Sequence, residues 1–156
     1  RYGKVVDDRT TLEPALDLTE YGRKLSPQFQ YASEEPFGAL YPDHATFFRA
    51  LLGQNVEEGL AFFRQKATTL DPQEYGPGPV EVYVDLLSRV GRPREALEAA
   101  VELFPKGMQA VGIAPTLLEL ARACGAYEPM LEFCRSRGDL LGYAAGLLDS
   151  PAASTR

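Results

Sequence analysis

The 156-residue sequence contains no tryptophan, one histidine and two cysteines. Cys124 and Cys134 form no CxxC pair, and with a single histidine they lack the number and spacing of ligands that a zinc site needs. We interpret both thiols as small apolar filler. A disulfide across a helical hairpin is the alternative, although two cysteines do not make a disulfide framework. We expect no metal and no other cofactor.

Long apolar runs and basic stretches are also missing. The longest apolar neighbourhood, residues 140–148, is well short of the roughly 18 residues that a membrane helix needs. The net charge is −6, with acidic and basic residues interleaved along the chain. A nucleic-acid-binding domain instead carries a basic stripe that replaces condensed counterions. These patterns disfavour both membrane insertion and nucleic-acid binding.

No motif of a known catalytic centre is present. The sequence has no GxSxG, no HExxH and no phosphate-binding glycine loop. The sole histidine, His44, follows Asp43 at the start of a predicted helix, where Asp43 or a neighbour suits the N-cap. A catalytic or pH-sensing role for His44 is the remote alternative. We therefore predict no catalytic residue and no enzymatic activity.

The two ends of the sequence indicate a piece of a longer polypeptide. The chain starts at Arg1 rather than Met and shows no signal-peptide pattern. The tail, residues 150–156, has the composition of a linker or frayed end. On this interpretation the native N-terminus is missing, and the cytoplasm is the favoured location.

Prolines and glycines divide the rest of the chain into regular segments. Pro42, Pro79 and Pro115 each precede an apolar run of helical period, as a proline in a first turn does. The three runs are residues 45–52, 80–87 and 116–123, and each ends at a glycine that can close a helix: Gly53, Gly91 and Gly125. A second amphipathic helix follows each glycine, over residues 56–70, 94–104 and 127–137. The unit recurs about every 36 residues, and such a period indicates a repeat architecture.

The first 41 residues follow another pattern. A helix is predicted over residues 12–25, and the next segment is rich in proline and glycine but also in aromatic rings. We expect Phe29, Tyr31, Phe37 and Tyr41 to cover apolar surface of the first hairpin, with a ligand-binding aromatic loop as the alternative. The predicted organisation is residues 1–41 as this N-terminal part, residues 42–148 as helical repeats (42–72, 79–105, 115–137 and a capping helix 139–148), and a tail at 149–156.

These repeats resemble the tetratricopeptide-repeat family. Residues 80–105 match it best, with Gly91 at the turn, Ala96 at the small position where two helices cross, and Pro105 at the close of the unit. Residues 45–72 have Gly59 at the small position. Residues 117–139 keep the turn glycine but have Met130 at the small position, and the glycine that the family carries inside its first helix is absent from every unit.

The resemblance implies an all-α fold, an α-solenoid of about three antiparallel hairpins, with a concave face that binds protein. The family's groove positions fall on these residues: His44, Phe48, Glu81, Asp85, Ser88, Glu119 and Arg122. Three carboxylates on one face would favour a basic or amide-bearing protein or peptide, while a solvated helix face is the simpler explanation of the same charges. The function expected is non-enzymatic protein–protein interaction or scaffolding. The alternative is a structural or oligomerisation spacer, and the sequence leaves the oligomeric state open.

Overall fold

The computed structural model describes residues 41–151, with side chains from residue 45 onward. Within these residues the chain is helical and contains no strand, which confirms the all-α class. The predicted helix at 12–25, the rings of the aromatic segment and the end of the tail lie outside the described residues and stay predictions.

Eight helices follow one another along residues 41–151. They are α1 (Tyr41–Leu51), α2 (Val56–Thr69), α3 (Pro72–Tyr75), α4 (Gly78–Arg89), α5 (Pro93–Leu103), α6 (Leu117–Cys124), α7 (Glu128–Arg137) and α8 (Leu140–Asp149). All except α3 were predicted, with ends that differ by a few residues. Because Asp43 lies inside the first turn of α1, it is not the N-cap of that helix. The residues between the predicted repeats 42–72 and 79–105 include the single turn α3, which starts because the Asp71 side chain accepts a hydrogen bond from the Gln73 amide at 2.9 Å.

The chain divides into two compact units, with the boundary between Ala61 and Phe62 inside α2. In the first unit, Ala45 and Leu52 are buried, and Phe48 and Leu51 pack against them. Here α1 and the start of α2 approach closely, because a Cβ atom added to Gly59 would lie 2.9 Å from the Cβ atom of Ala50. No side chain fits at that distance, so Gly59 occupies a position that requires the smallest residue, as the repeat pattern predicts.

In the second unit, neighbouring helices pack as hairpins. Helix α4 packs on α5, α5 packs on both α6 and α7, and α8 packs on α7 and α6. The turns after α4 and α6 use Gly91 and Gly125 at φ angles of 82° and 68°, in the left-handed region that a glycine enters at little cost. Both turns therefore contain the left-handed glycine that the sequence predicts at the end of the helix.

Helix α5 contributes most to the centre of this unit. One face of it is buried along its length, with Ala96 fully inaccessible and Leu97, Ala99 and Ala100 almost so. Small side chains let the neighbouring helices approach α5 closely, which increases the number of dispersion contacts per residue. The C-terminal end of α5 is held by the Arg137 guanidinium, which donates hydrogen bonds to the carbonyls of Phe104 and Pro105 at 2.6 and 2.9 Å.

Both cysteines are free thiols, so the disulfide alternative does not hold in this structure. Cys134 is buried in α7, and burial raises the pKa of its thiol, which keeps it protonated and unreactive at neutral pH. It packs as a small apolar side chain, in agreement with the filler interpretation.

Replacing Ala96 by leucine should destabilise the second unit. The site is fully buried against neighbouring helices, and overpacking of this kind costs about 1–3 kcal/mol. Chemical denaturation followed by circular dichroism measures the free energy of unfolding. The matched control is Ala123→Leu, the same substitution at an exposed position of α6, which should change stability little. Equal stability of the two variants would contradict the placement of Ala96 at the helix crossing.

Candidate partner-binding surfaces

The three groove candidates of α4 do not form an exposed row. Glu81 and Asp85 lie one turn apart, as predicted, but they are only 3% and 6% exposed, and Ser88 is half-buried. The expectation of a solvated helix face is wrong for these two carboxylates, and their role in a partner-binding groove stays a prediction. Residues outside the helix bind Glu81, and Asp85 pairs with Arg89 of the same helix.

Glu81 is covered by the inserted loop, residues 106–114, between α5 and α6. Its two carboxylate oxygens accept hydrogen bonds from the backbone amides of Val111 and Ile113, at 2.5 and 2.7 Å. Burying a carboxylate is costly unless hydrogen bonds replace its hydration, and hydrogen bonds to a charged acceptor are about twice as strong as neutral ones. The charge of Glu81 therefore serves to hold this loop on α4.

The conformation of the inserted loop places its backbone inward and its side chains outward. Gly112 lies between the two bonded amides with a φ of 84°, and this left-handed turn lets both amides face the same carboxylate. The side chains of Val111 and Ile113 are consequently exposed. Beneath the loop is an apolar cavity of about 240 Å³, smaller than the roughly 300 Å³ at which ligand sites begin.

Asp85 is also engaged within the chain. Its carboxylate accepts a hydrogen bond from Arg89 Nε at 2.8 Å, one helical turn further along α4. The pair is partly buried, so a ligand that used Asp85 would first have to compete with Arg89.

Glu119 forms the N-terminal cap of α6 together with Thr116. The Thr116 hydroxyl accepts from the Glu119 amide at 3.2 Å, and the Glu119 carboxylate accepts from the Thr116 amide at 2.8 Å. This is a capping box, which satisfies two otherwise free amides of the first turn. The hydrogen bonds from the Thr116 backbone and side chain lower the pKa of Glu119.

Arg122 binds Asp149 across the end of the stack and joins α6 to α8. Its Nε and Nη2 atoms donate to the two oxygens of Asp149 at 3.0 and 2.8 Å, and the Tyr127 hydroxyl donates to the same carboxylate at 2.8 Å. The bonds from Arg122, and then that from Tyr127, hold the pKa of Asp149 below its usual range. Glu119 and Arg122 are thus exposed, but their charged groups already have partners.

The candidates of the first unit remain open. Phe48 is half-buried in α1 and packs against the small core of that unit. His44 lies in the first turn of the same helix, and its side chain is outside the described ones. A role in partner binding stays a prediction for all seven residues.

The surface that sequence reasoning missed is the outer face of α8. Leu140, Leu141 and Leu148 are 79%, 85% and 81% exposed, although this helix was predicted to act as a shielding cap. The sequence feature that could have indicated this exposed apolar face is the absence of any charged residue between positions 140 and 148. A capping helix ordinarily turns a polar face outward, and α8 turns leucines outward.

Glycines explain why the leucines of α8 point away from the stack. A Cβ atom on Gly146 would lie 2.9 Å from Leu131 Cδ2 and 3.2 Å from Met130 Cε, and one on Gly142 would lie 2.9 Å from Cys134 Sγ. The inner face of α8 therefore consists of backbone packed on α7, and Met130 fills the space that Gly146 leaves. Its outer face carries the large side chains.

Among the described residues, no group of three or more acidic, histidine or cysteine side chains could hold a metal ion. Helices long and apolar enough to cross a membrane are likewise absent from residues 41–151. Comparison of the chain with protein-family models, curated proteins and solved structures finds no match. The family resemblance therefore depends on the repeat residues alone.

Glu81→Gln should loosen the inserted loop. The amide group keeps one acceptor but turns a donor toward the other backbone N–H, and an unsatisfied buried donor costs about 1–3 kcal/mol. Hydrogen exchange at the Val111 and Ile113 amides should become faster, and proteolysis between residues 106 and 114 should increase. Glu102→Gln, at an exposed position of α5, is the control. Unchanged protection of both amides would show that Glu81 does not hold the loop.

Asp149→Asn should reduce stability in a pH-dependent way. The folded protein depresses the pKa of Asp149, so the stabilisation is complete above the unfolded value of about 4 and is lost as the pH falls through the folded value. The difference in unfolding free energy between wild type and variant should be constant from about pH 5 to 8 and shrink below about pH 4. Glu132→Gln, which removes an exposed pair with Arg135 on α7, is the control. A difference as large at pH 3 as at pH 7 would contradict the assignment.

Proposed function

We propose that this chain is a non-enzymatic protein–protein interaction module that docks a protein on the exposed face of α8. The observation that carries the proposal is the exposure of three leucines on a helix whose only charged residue is Asp149. Contiguous exposed apolar patches mark interaction sites. A helix that lies on a membrane surface usually carries lysine or arginine on its polar face; α8 has neither, and this favours a protein partner.

We further propose that the module is an α-solenoid of tetratricopeptide-like hairpins. The packing order supports this arrangement, because α5 contacts the hairpin helix before it and both helices of the hairpin after it, and α7 and α8 continue the series. In such a stack each unit contacts only its neighbours, so the last unit exposes the face that a further unit would cover. The apolar face of α8 is in that position.

Binding of a peptide on the concave face has weaker support than docking on α8. A basic or amide-bearing segment would need carboxylates that are free to receive it. Glu81 binds the inserted loop, Asp85 binds Arg89, and Glu119 caps α6. A peptide at Glu81 would first have to displace the loop.

A photo-crosslinking amino acid at position 148 tests the docking face in cells of the source organism. Leu148 belongs to the proposed surface and is 81% exposed, and the control is the same amino acid at position 65, an exposed glutamine of α2. We expect a defined protein adduct from position 148 that is absent from position 65. The adduct should disappear when Leu141→Glu is added. Its partner should then bind the purified chain directly.

Adducts that are equal at positions 148 and 65, or that survive Leu141→Glu, would overturn the proposal. An adduct with a different polypeptide and an adduct with a second copy of this chain both support docking on α8. Mass spectrometry of the adduct distinguishes these two cases.

A further inference from the structure

The exposed face of α8 is one continuous apolar stripe. With 3.6 residues per turn, Leu140, Leu141, Ala144, Leu147 and Leu148 fall within a sector of about 120°. All five are exposed, and none is charged. Gly142 and Gly146 lie on the opposite side, against α7. An apolar stripe of this width is typical of a helix face that packs against another element.

Beside the stripe, a groove of about 490 Å³ runs between α7 and α8. Leu131, Tyr143 and Leu147 contribute apolar surface to it, and Glu132 and Arg135 are on its rim. Leu147 belongs to both the groove and the stripe, so the two form one surface. Glu132 and Arg135 are paired with each other at 3.0 Å, and Glu128 is a further acidic residue of the groove's lining.

The packing of the preceding helices shows what fits this groove. Helix α7 packs against α6, the first helix of its own hairpin, and against α5, the second helix of the hairpin before. By the same rule, the helix that follows α8 in such a series would pack against α8 and α7. The groove lies at that position. A helix with an apolar face therefore fits there.

We propose that the helix in this groove is α8 of a second copy of the same chain, so that two copies form a two-fold symmetric dimer. In an isologous interface the same surface meets itself, so a charged patch would repel its own copy. The stripe has no charge, whereas the outer faces of α5 and α7 carry exposed charges such as Arg94, Glu98 and Glu132. In a chain of net charge −6, the uncharged stripe is the face best suited to self-association.

A stable dimer interface needs more surface than α8 alone supplies. Helix α8 has 10 residues, a length of about 15 Å, which alone is too little surface for the roughly 800 Å² that each partner of a stable dimer buries. When each α8 also enters the groove of the other copy, α7 joins the interface and the buried surface increases. Antiparallel two-fold pairing places the N-terminus of one α8 near the C-terminus of the other, which is favourable for the helix dipoles.

This inference depends on the proposed docking face, since it names the partner of that face. Sedimentation velocity of the whole chain, from about 1 to 100 μM, measures the dimer dissociation constant. We expect a dimer for the wild type and a dissociation constant raised roughly 100-fold or more for Leu141→Glu/Leu148→Glu, because two buried leucines are lost and two like charges are introduced. The control Gln65→Glu/Ala123→Glu adds the same charge at exposed positions and should dimerise as the wild type does.

Both leucines are exposed in the single chain, so the double variant should keep its helical circular dichroism. If it does not, Leu148→Glu alone replaces it. A wild type that is monomeric across the concentration range would overturn the dimer but leave docking of another protein to the crosslinking experiment. A dimer that both double variants retain would place the contact elsewhere and would also overturn the proposal. The absence of any specific adduct from position 148 would remove the docking face itself.

Discussion

Burial of the small-residue face of α5 is the interaction on which the second unit depends. This helix packs on α4, α6 and α7, and its central residues are alanines, with Ala96 fully inaccessible. Close approach of three neighbours to one helix fixes their mutual spacing, because protein interiors have no room to absorb an added methylene without movement. Arg137 then holds the chain at the C-terminal end of α5 by donating hydrogen bonds to the carbonyls of Phe104 and Pro105, which follow the helix. The inserted loop and α8 are positioned by this framework.

The helices and their connections could be predicted from local signals. Proline before an apolar run and glycine after it mark the two ends of a helix for reasons that lie within a few residues, so α4, α5 and α6 were found nearly in full. The small residues at positions 59 and 96 followed from the family resemblance and are both at close contacts. The turn α3 was missed because a single helical turn has too few residues to show a period.

The chemistry of the candidate site was less predictable, because it depends on contacts between distant residues. Glu81 has the same place in the helical pattern whether water, a peptide or another part of the chain covers it. Its partners lie 30 and 32 residues away, in a loop without a regular pattern. The exposure of the leucines of α8 could not be predicted for a related reason. An apolar helix at the end of a repeat array is expected to bury its large residues. The exposure of the leucines and the close contacts of Gly142 and Gly146 show that α8 turns its glycines inward instead.

The inserted loop is anchored through its backbone, so the path of the loop and the identity of its outward side chains are independent of each other. Glu81 binds main-chain amides, which every residue except proline possesses, so the anchor does not depend on the side chains at positions 111 and 113. Those side chains are exposed. The loop can therefore accept substitutions at its two outward positions while its path over α4 stays the same. The backbone of the loop is thus fixed by its anchor, and the anchor itself places no demand on which two side chains point outward.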